Sequence, residues 1–428
     1  MKSFFKSRSL IVVGSLLIAA CGLMPAPRQV LEPQPVAPQT PVEPVATHLF
    51  KIADDDDVIG ELQITHATAD DTLSDIARRF NLGYEELVRA NPGVDPWLPG
   101  AGREIVLPTQ FVLPNAPREG LVVNLAALRV FYFPKRKPGE LQTVITHPIG
   151  IGKVGWVTPE GVTKVISKKR NPVWVPPVSV RKEHAENGDP LPKVVPPGDD
   201  NPLGAFAMTL SWPGYLIHGT NKPYGVGMRS SHGCMRFYPE DIALLFDEIP
   251  IGAMVQVVNQ RVVSGWHAGK LYVQVMPPPE EESESESKPA DKKAVAKKVK
   301  EQKPLVEPFT KEKAIARLFQ QAKQHAVVVD QSLLDQVIKD QTNVSYPVTG
   351  GMTTAQVITS ARHVDNHLPK GATWDGSTTL MVTAEEFDAM RSGVILPKKE
   401  AAATEPPKKS EKPSSASPKA KSAPLPAT

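Results

Sequence analysis

The sequence predicts a multidomain chain whose largest piece is mainly β, preceded by a small βααβ module and followed by a small α-containing region, with disordered linkers around them. Three observations lead there. Proline, 44 of 428 residues, is about twice as common as the ~5% of globular chains, so part of the chain is linker. Hydrophobic residues make up 41%, enough for packed cores elsewhere. The apolar patterning falls into three blocks, roughly 61–109, 117–276 and 306–397, separated by proline- or charge-rich stretches.

Charge excludes one class of partner. Lys+Arg 49 against Asp+Glu 46 leaves a net charge of +3, with no excess to draw a nucleic acid. The two cysteines, Cys21 and Cys234, need separate explanations, because the first sits where a processing signal ends and no intramolecular disulfide is expected.

Residues 1–20 read as a signal: Lys2, Lys6 and Arg8 open it, and an uncharged run from Ser9 to Ala20 follows, short for a bilayer span. Leu17-Ile18-Ala19-Ala20-Cys21 resembles a bacterial lipobox, which implies that Cys21 is lipidated and anchors the chain to a membrane. Gly22, where the family's sorting rule reads Asp as an inner-membrane signal, implies the outer membrane and a periplasmic location. Seven prolines between Met24 and Val45 make residues 21–50 an extended tether. Residues 277–305, with Ser-Glu alternation and a Lys-rich block, and 398–428 read as disordered linker and tail.

In the first block, Leu62, Ile64 and His66 alternate with polar residues as a short strand would, and Thr72 with Asp75 three positions on forms a capping box, so a helix begins near Leu73. Leu73, Ile76, Ala77 and Phe80 share its apolar face. Asn81-Leu82-Gly83 breaks it, a second helix carries Tyr84, Leu87 and Val88 to Asn91-Pro92-Gly93, and Ile105 to Leu107 closes the unit as a strand. This order, with Asp71-Thr72-Leu73, Ile76-Ala77 and Asn91-Pro92 in place, resembles a LysM domain (61–109). The resemblance implies binding to the N-acetylglucosamine-containing glycan of peptidoglycan.

The second block carries the chemistry. Leu121 to Asn124 and Leu128 to Phe133 are β-branched and aromatic runs, and Gly, Pro and Asn punctuate the chain to Val258. Tyr215 to Ile217 leads as a strand into His218-Gly219-Thr220-Asn221, and Ser231-His232-Gly233-Cys234-Met235-Arg236 follows. A free thiol is only a few per cent ionised at neutral pH, so a nucleophilic cysteine needs an imidazole beside it. His218, at the end of its own strand, can cross to Cys234 with its second nitrogen oriented by the Gly219 carbonyl, whereas His232, two residues from Cys234, shares its face without having to point at it. Consecutive amides around Gly233 and Cys234 offer an oxyanion hole, which would complete an acyl-transfer site. A closed zinc site wants four ligands, and His218, His232 and Cys234 have no fourth nearby, so no metal is expected there.

His-Gly-Thr-Asn followed by Gly-Met-Arg-Ser-Ser-His-Gly-Cys-Met-Arg resembles the catalytic domain of the YkuD-type L,D-transpeptidases, a β-sandwich fold, here over 117–260 with a β extension at 261–276. Pro117-Arg118-Glu119-Gly120, Val123-Asn124-Leu125, Pro148-Ile149-Gly150-Ile151-Gly152, Asn171-Pro172-Val173-Trp174 and Asp200-Asn201-Pro202-Leu203-Gly204 match landmarks of the Gram-negative, periplasmic subgroup. The resemblance implies Cys234 as nucleophile, His218 as base and His232 as auxiliary. It places Arg229 and Arg236 in the frame around the site, with Asn221 and Ser231 as further substrate-binding positions. Arg236 stands where the broader family often has Asn.

The implied reaction is attack on the carbonyl of the third, L-centred residue of a tetrapeptide stem, release of D-alanine, and transfer of the thioester to an amine. That amine is diaminopimelate of another stem or a lysine of an envelope lipoprotein, and no cofactor is implied. Hydrolysis, giving an L,D-carboxypeptidase, and a silent wall-binding lipoprotein remain the alternatives. The third block predicts helices at Lys311 to Ala326, Gln331 to Asp340 and Glu385 to Arg391, with His325, His363 and His367 as scattered surface residues and no assigned function.

Overall fold

The computed structural model describes residues 48–153, 155–278 and 310–368. The signal 1–20, Cys21, most of the tether and of the 277–305 linker, the helix expected at Glu385 to Arg391 and the 398–428 tail lie outside the described residues.

The N-terminal part comprises β1 (Leu49–Ile52), β2 (Val58–Gly60), β3 (Gln63–His66), α1 (Leu73–Arg79), α2 (Tyr84–Ala90), β4 (Glu104–Leu107) and β5 (Gln110–Val112). The helix α1 starts where its capping box dictates: the Asp75 amide donates to Thr72 Oγ1 and the Thr72 amide to the Asp75 carboxylate. The strands β3 and β4 pair antiparallel, with Gln63 opposite Leu107 and His66 opposite Glu104. The tether ends earlier than its composition suggests. The prolines stop at Pro44, so the amides of β1 are free to pair, and Leu49–Ile52 joins the edge of the main sheet opposite β8 (Gln142–Pro148).

Between β5 and β8 come β6 (Gly120–Asn124) and β7 (Arg129–Phe133); beyond lie β9 (Ile151–Gly152), β10 (Gly161–Arg170), α3 (Val178–Glu186), β11 (Phe206–Leu210), β12 (Leu216–His218), β13 (Arg229–Ser231), β14 (Met235–Arg236), α4 (Pro239–Glu248) and β15 (Met254–Val258). Nine strands form one sheet in the order β1-β8-β7-β6-β15-β10-β11-β12-β14. One apolar core gathers Leu121, Val123, Met208, Ile217, Met235, Ile242 and Leu245, so β12 and β14 are fixed from beneath by buried Ile217 and Met235. Neither helix was evident in the sequence. Of α3 only Val180 is buried, which leaves no apolar stripe to read, and α4 offers a short Ile242, Leu245, Phe246 stripe.

The C-terminal part holds β16 (Val262–His267), β17 (Lys270–Val275), α5 (Lys311–Gln324), α6 (Gln331–Asp340), β18 (Ser345–Pro347), α7 (Thr354–Thr359) and β19 (Arg362–His363). The two helices expected before residue 341 are present; α5 buries Ala314, Leu318 and Ala322 but leaves Phe319 largely exposed. Two strands were not foreseen. The strand β18 extends the β16-β17 hairpin, and β19 adds to the edge of β3, because the few residues in each carry no readable period.

The parts share their cores. Leu73, Ile76, Phe80, Leu87 and Ile105 pack in one cluster with Val122, Phe131 and Val144 from the main sheet. Glu86 of α2 and Arg129 of β7, each about 1% exposed, form a two-pronged ion pair with Nε–Oε1 2.7 Å and Nη2–Oε2 2.8 Å. At the same junction Gly227, at φ +78°, lies so near Gly83 that a Cβ would fall 2.3 Å from the Gly83 Cα.

Candidate active site

Parallel pairing of β12 and β14 sets Ile217 opposite Met235 and His218 opposite Arg236. Side chains alternate along a strand, so His218 and Arg236 share one face, and Cys234, two residues before Arg236 and immediately before β14, falls on that face by the same alternation. The backbone is held on both sides: the Phe237 amide donates to the His218 carbonyl at 2.9 Å, and Arg236 exchanges two hydrogen bonds with Gly150 at 2.8 and 2.9 Å. Cys234 is partly exposed, its Sγ 3.8 Å from the Gly214 carbonyl.

His218 is 4% exposed, and its Nδ1 lies 2.6 Å from the Gly219 carbonyl oxygen. A carbonyl only accepts, so Nδ1 carries the proton and Nε2 keeps its lone pair. Burial, and then the Arg236 guanidinium, lower the imidazole pKa from 6.5 to about 3, so it is neutral at neutral pH. Arg236 is itself lowered from its ordinary value by burial, with Cys234 acting in the opposite direction. The Nε atoms of Arg229 and Arg236 are both buried without a hydrogen-bond partner, which leaves cationic capacity at the site.

Two expected roles change. Ser231, read as substrate-binding, is 1% exposed; its hydroxyl donates to the Cys234 carbonyl at 2.6 Å and accepts from the Gly233 amide at 3.1 Å. Both of its bonding directions therefore serve the loop that bears Cys234. By the same bond the Gly233 N–H, expected in an oxyanion hole, is committed to Ser231. Gly233 sits at φ +103°, a conformation side chains resist, and this sharp turn takes Cys234 off the path of Ser231. Asn221 is partly exposed on the loop following Gly219.

His232 is held by a carboxylate and a ring. Its Nε2 lies 3.0 Å from Glu183 Oε2 of α3 and its ring stands edge-on to Trp156, centroids 4.6 Å apart. Burial lowers its pKa to about 4 against the opposing pull of Glu183, while bonds from His232 and Lys153 outweigh burial and hold Glu183 at about 2. The neutral imidazole thus donates to an ionised carboxylate. Lys153 Nζ meets the other carboxylate oxygen at 2.6 Å, so Glu183 ties α3 to the loop bearing the thiol. Thr158 adds a further tie: its hydroxyl donates to the Gly233 carbonyl at 2.9 Å and accepts from the Gly152 amide at 3.1 Å. Gly152 must lack a side chain, since a Cβ would lie 1.8 Å from the Trp156 carbonyl.

Glu183, Lys153, Trp156 and Thr158 escaped the sequence reading, because α3 and the loop before β10 bear no motif and reach the site only through folding. Glu183→Ala is expected to lower stability by about 1.5–3 kcal/mol, the range for hydrogen bonds to charged groups. Urea unfolding checks this, and a loss below about 0.5 kcal/mol, within the range of ordinary surface changes, would mean that the carboxylate does not hold α3 in place.

A thiol and an oriented neutral imidazole at the ends of neighbouring strands define a cysteine–histidine protein on a strand-rich sheet. The description of the YkuD family, the L,D-transpeptidase catalytic domain, matches residues 118–257, and that of the LysM domain matches 68–108. The chain is 40% identical over 225 residues to the "Probable L,D-transpeptidase YbiS" of Escherichia coli (strain K12), covering 52% of this chain and 72% of that one. It is 44% identical over 212 residues to the "Probable L,D-transpeptidase YcfS" of the same strain, covering 48% and 65%. Against the "Probable L,D-transpeptidase ErfK/SrfK" of Salmonella typhimurium it is 44% identical over 191 residues, covering 44% and 60%. The chain thus spans about two thirds or less of the length of the last two. It belongs to the YkuD-type L,D-transpeptidase family and carries a LysM domain.

Proposed function

We propose that this protein is a peptidoglycan L,D-transpeptidase in which Cys234 is the nucleophile and His218 the base. The observation that carries the reading is the His218 Nδ1 bond to the Gly219 carbonyl at 2.6 Å, which leaves Nε2 unprotonated on the face that Cys234 approaches. Nε2 takes the Sγ proton as the thiolate attacks the carbonyl of the L-centred third residue of a tetrapeptide stem. The Cys234 amide faces the developing oxyanion. The tetrahedral intermediate collapses to a thioester, and D-alanine leaves with the proton held by His218. An acceptor amine then attacks the thioester, returns its proton to His218 and restores the thiol. Arg229 and Arg236 receive substrate carboxylates, consistent with their unpartnered Nε atoms.

The acceptor is diaminopimelate of a second stem or a lysine of an envelope lipoprotein, giving a cross-linked wall or one tethered to the outer membrane. The LysM domain holds the chain on glycan. The lipobox-like Leu17-Ile18-Ala19-Ala20-Cys21 with Gly22 supports lipidation of Cys21 and an outer-membrane anchor facing the periplasm.

Incubation of the purified chain with tetrapeptide muropeptides, with and without an acceptor amine, tests the reading by mass. Products joined to the acceptor are expected, together with released D-alanine, and Cys234→Ala makes neither. D-alanine release without acceptor adducts would make the protein a carboxypeptidase. Absence of any product from the wild type would favour the silent wall-binding reading.

A further inference from the structure

The end of the sheet β19-β3-β4 brings together three metal-ligating side chains from distant parts of the sequence. His66 at the end of β3 is the register partner of Glu104 at the start of β4. On the other side of β3, His363 of β19 pairs in parallel with Ile64, two residues before His66 and therefore on the same face. One ligand atom from each of His66, Glu104 and His363 lies within 4.8 Å of the other two.

Three half-buried histidines elsewhere among the described residues, His184, His232 and His267, are each bonded to a carboxylate at 2.9–3.0 Å. His66, Glu104 and His363 have no such hydrogen bond or ion pair among the described residues; their one mutual contact is between the two imidazole rings, centroids 5.9 Å apart. Lone pairs of two imidazoles and a carboxylate thus converge unspent.

The backbone on either side of the cluster is already fixed. Thr65 Oγ1 donates to the Val364 carbonyl at 2.9 Å, and the Val364 amide to the Ile64 carbonyl at 2.8 Å. Arg362 pairs with Glu61 at 2.7 Å, and Asn366 Nδ2 donates to the His66 carbonyl and to Asp71, each at 2.8 Å. Only the ends of three side chains need to adjust.

We propose that His66, Glu104 and His363 form a zinc site that clamps the C-terminal strand onto the LysM domain. Zinc takes imidazole nitrogen and carboxylate oxygen at about 2.0–2.2 Å, so tetrahedral ligands stand roughly 3.3 Å apart, within reach of small rotations at this cluster. Two imidazoles favour zinc over calcium and magnesium, which prefer oxygen ligands. Water fills the fourth position, since His66 and Glu104 are exposed and His363 is half-buried. The role is mechanical: the ion adds a tie between β3 and β19, nearly three hundred residues apart in the chain, to the bonds that already seat this short edge strand.

The test uses the full chain, stripped with a chelator, in a Cys21→Ser, Cys234→Ser background so that neither thiol can bind the probe. Zinc chloride is titrated against a chromophoric chelator, and cobalt chloride is followed by its visible absorption. One equivalent is expected, with a tetrahedral cobalt spectrum lacking thiolate charge transfer, and with affinity falling at least about tenfold in His363→Ala and in Glu104→Gln. At zinc 100-fold above the parent's Kd the folded-to-unfolded ratio should rise about 100-fold in the parent and by about tenfold or less in either variant. Magnesium should neither compete nor stabilise. Zinc uptake and stabilisation unchanged in both variants, or no uptake by the folded parent, would overturn the proposal. Glu104→Gln keeps the shape of the side chain, so a folding defect in His363→Ala leaves the result readable.

Discussion

Glu86→Ala is expected to destabilise the protein by about 3–5 kcal/mol, the cost of leaving one member of a buried ion pair uncompensated. The partner left behind is Arg129, fully buried in β7, stacked 4.0 Å over Phe111 and donating to the Asn81 carbonyl at 2.8 Å. That carbonyl keeps one prong occupied but cannot neutralise the charge. Glu86 also accepts from the Gly83 amide at 2.7 Å, so its loss uncaps α2 as well. Total stabilities run to about 5–15 kcal/mol, so the single change removes a large share. Urea unfolding followed by far-UV circular dichroism measures it. Replacing both residues with apolar ones, Glu86→Leu with Arg129→Met, should recover much of the loss, because the penalty lies in the orphaned charge. A cost below 1 kcal/mol for Glu86→Ala would mean that water reaches the pair.

His218→Gln is expected to lower kcat by about 10²–10⁴-fold, the usual contribution of a positioned general base. Its pH dependence is the sharper measurement. Because burial and Arg236 lower His218 to about 3, the kcat/KM profile of the wild type should show no acid limb from this group near pH 6.5. An acid limb near 6.5 that disappears with His218→Gln would contradict the neutral, buried base.

Stability should respond where the base itself does not. His218 and His232 stay neutral in the fold down to about 3 and about 4, whereas both titrate near 6.5 once unfolded. The unfolded chain therefore binds more protons below 6.5, so stability is full above that pH and is lost as pH falls toward the folded values. Glu183, held at about 2 against 4.5 when unfolded, adds a contribution present above 4.5 and lost as pH falls toward 2.

The parts of the site that could be read in the sequence are those where one short segment carries both the residue type and its geometry. Thr72 and Asp75 specify the start of α1 by themselves, and His218 with Gly219 contains both the imidazole and the carbonyl that orients it. Ser231 illustrates the limit. The family resemblance implied a hydroxyl for substrate, and only the turn at Gly233 reveals that the hydroxyl is spent on the loop's own backbone. Glu183 was invisible because its helix buries a single apolar side chain and so shows no period.

The sequence by itself determined the cysteine, the histidine, the LysM helices and the order of the blocks, since each rests on local capping, spacing or a contiguous motif. The tertiary structure decided what those blocks do to one another. Burial of the Arg129–Glu86 pair, closure of α3 over His232, and the meeting of His66, Glu104 and His363 all depend on side chains far apart in the chain. Such contacts arise from sheet register and shared cores, and a register is a relation between strands that neither strand's own sequence specifies.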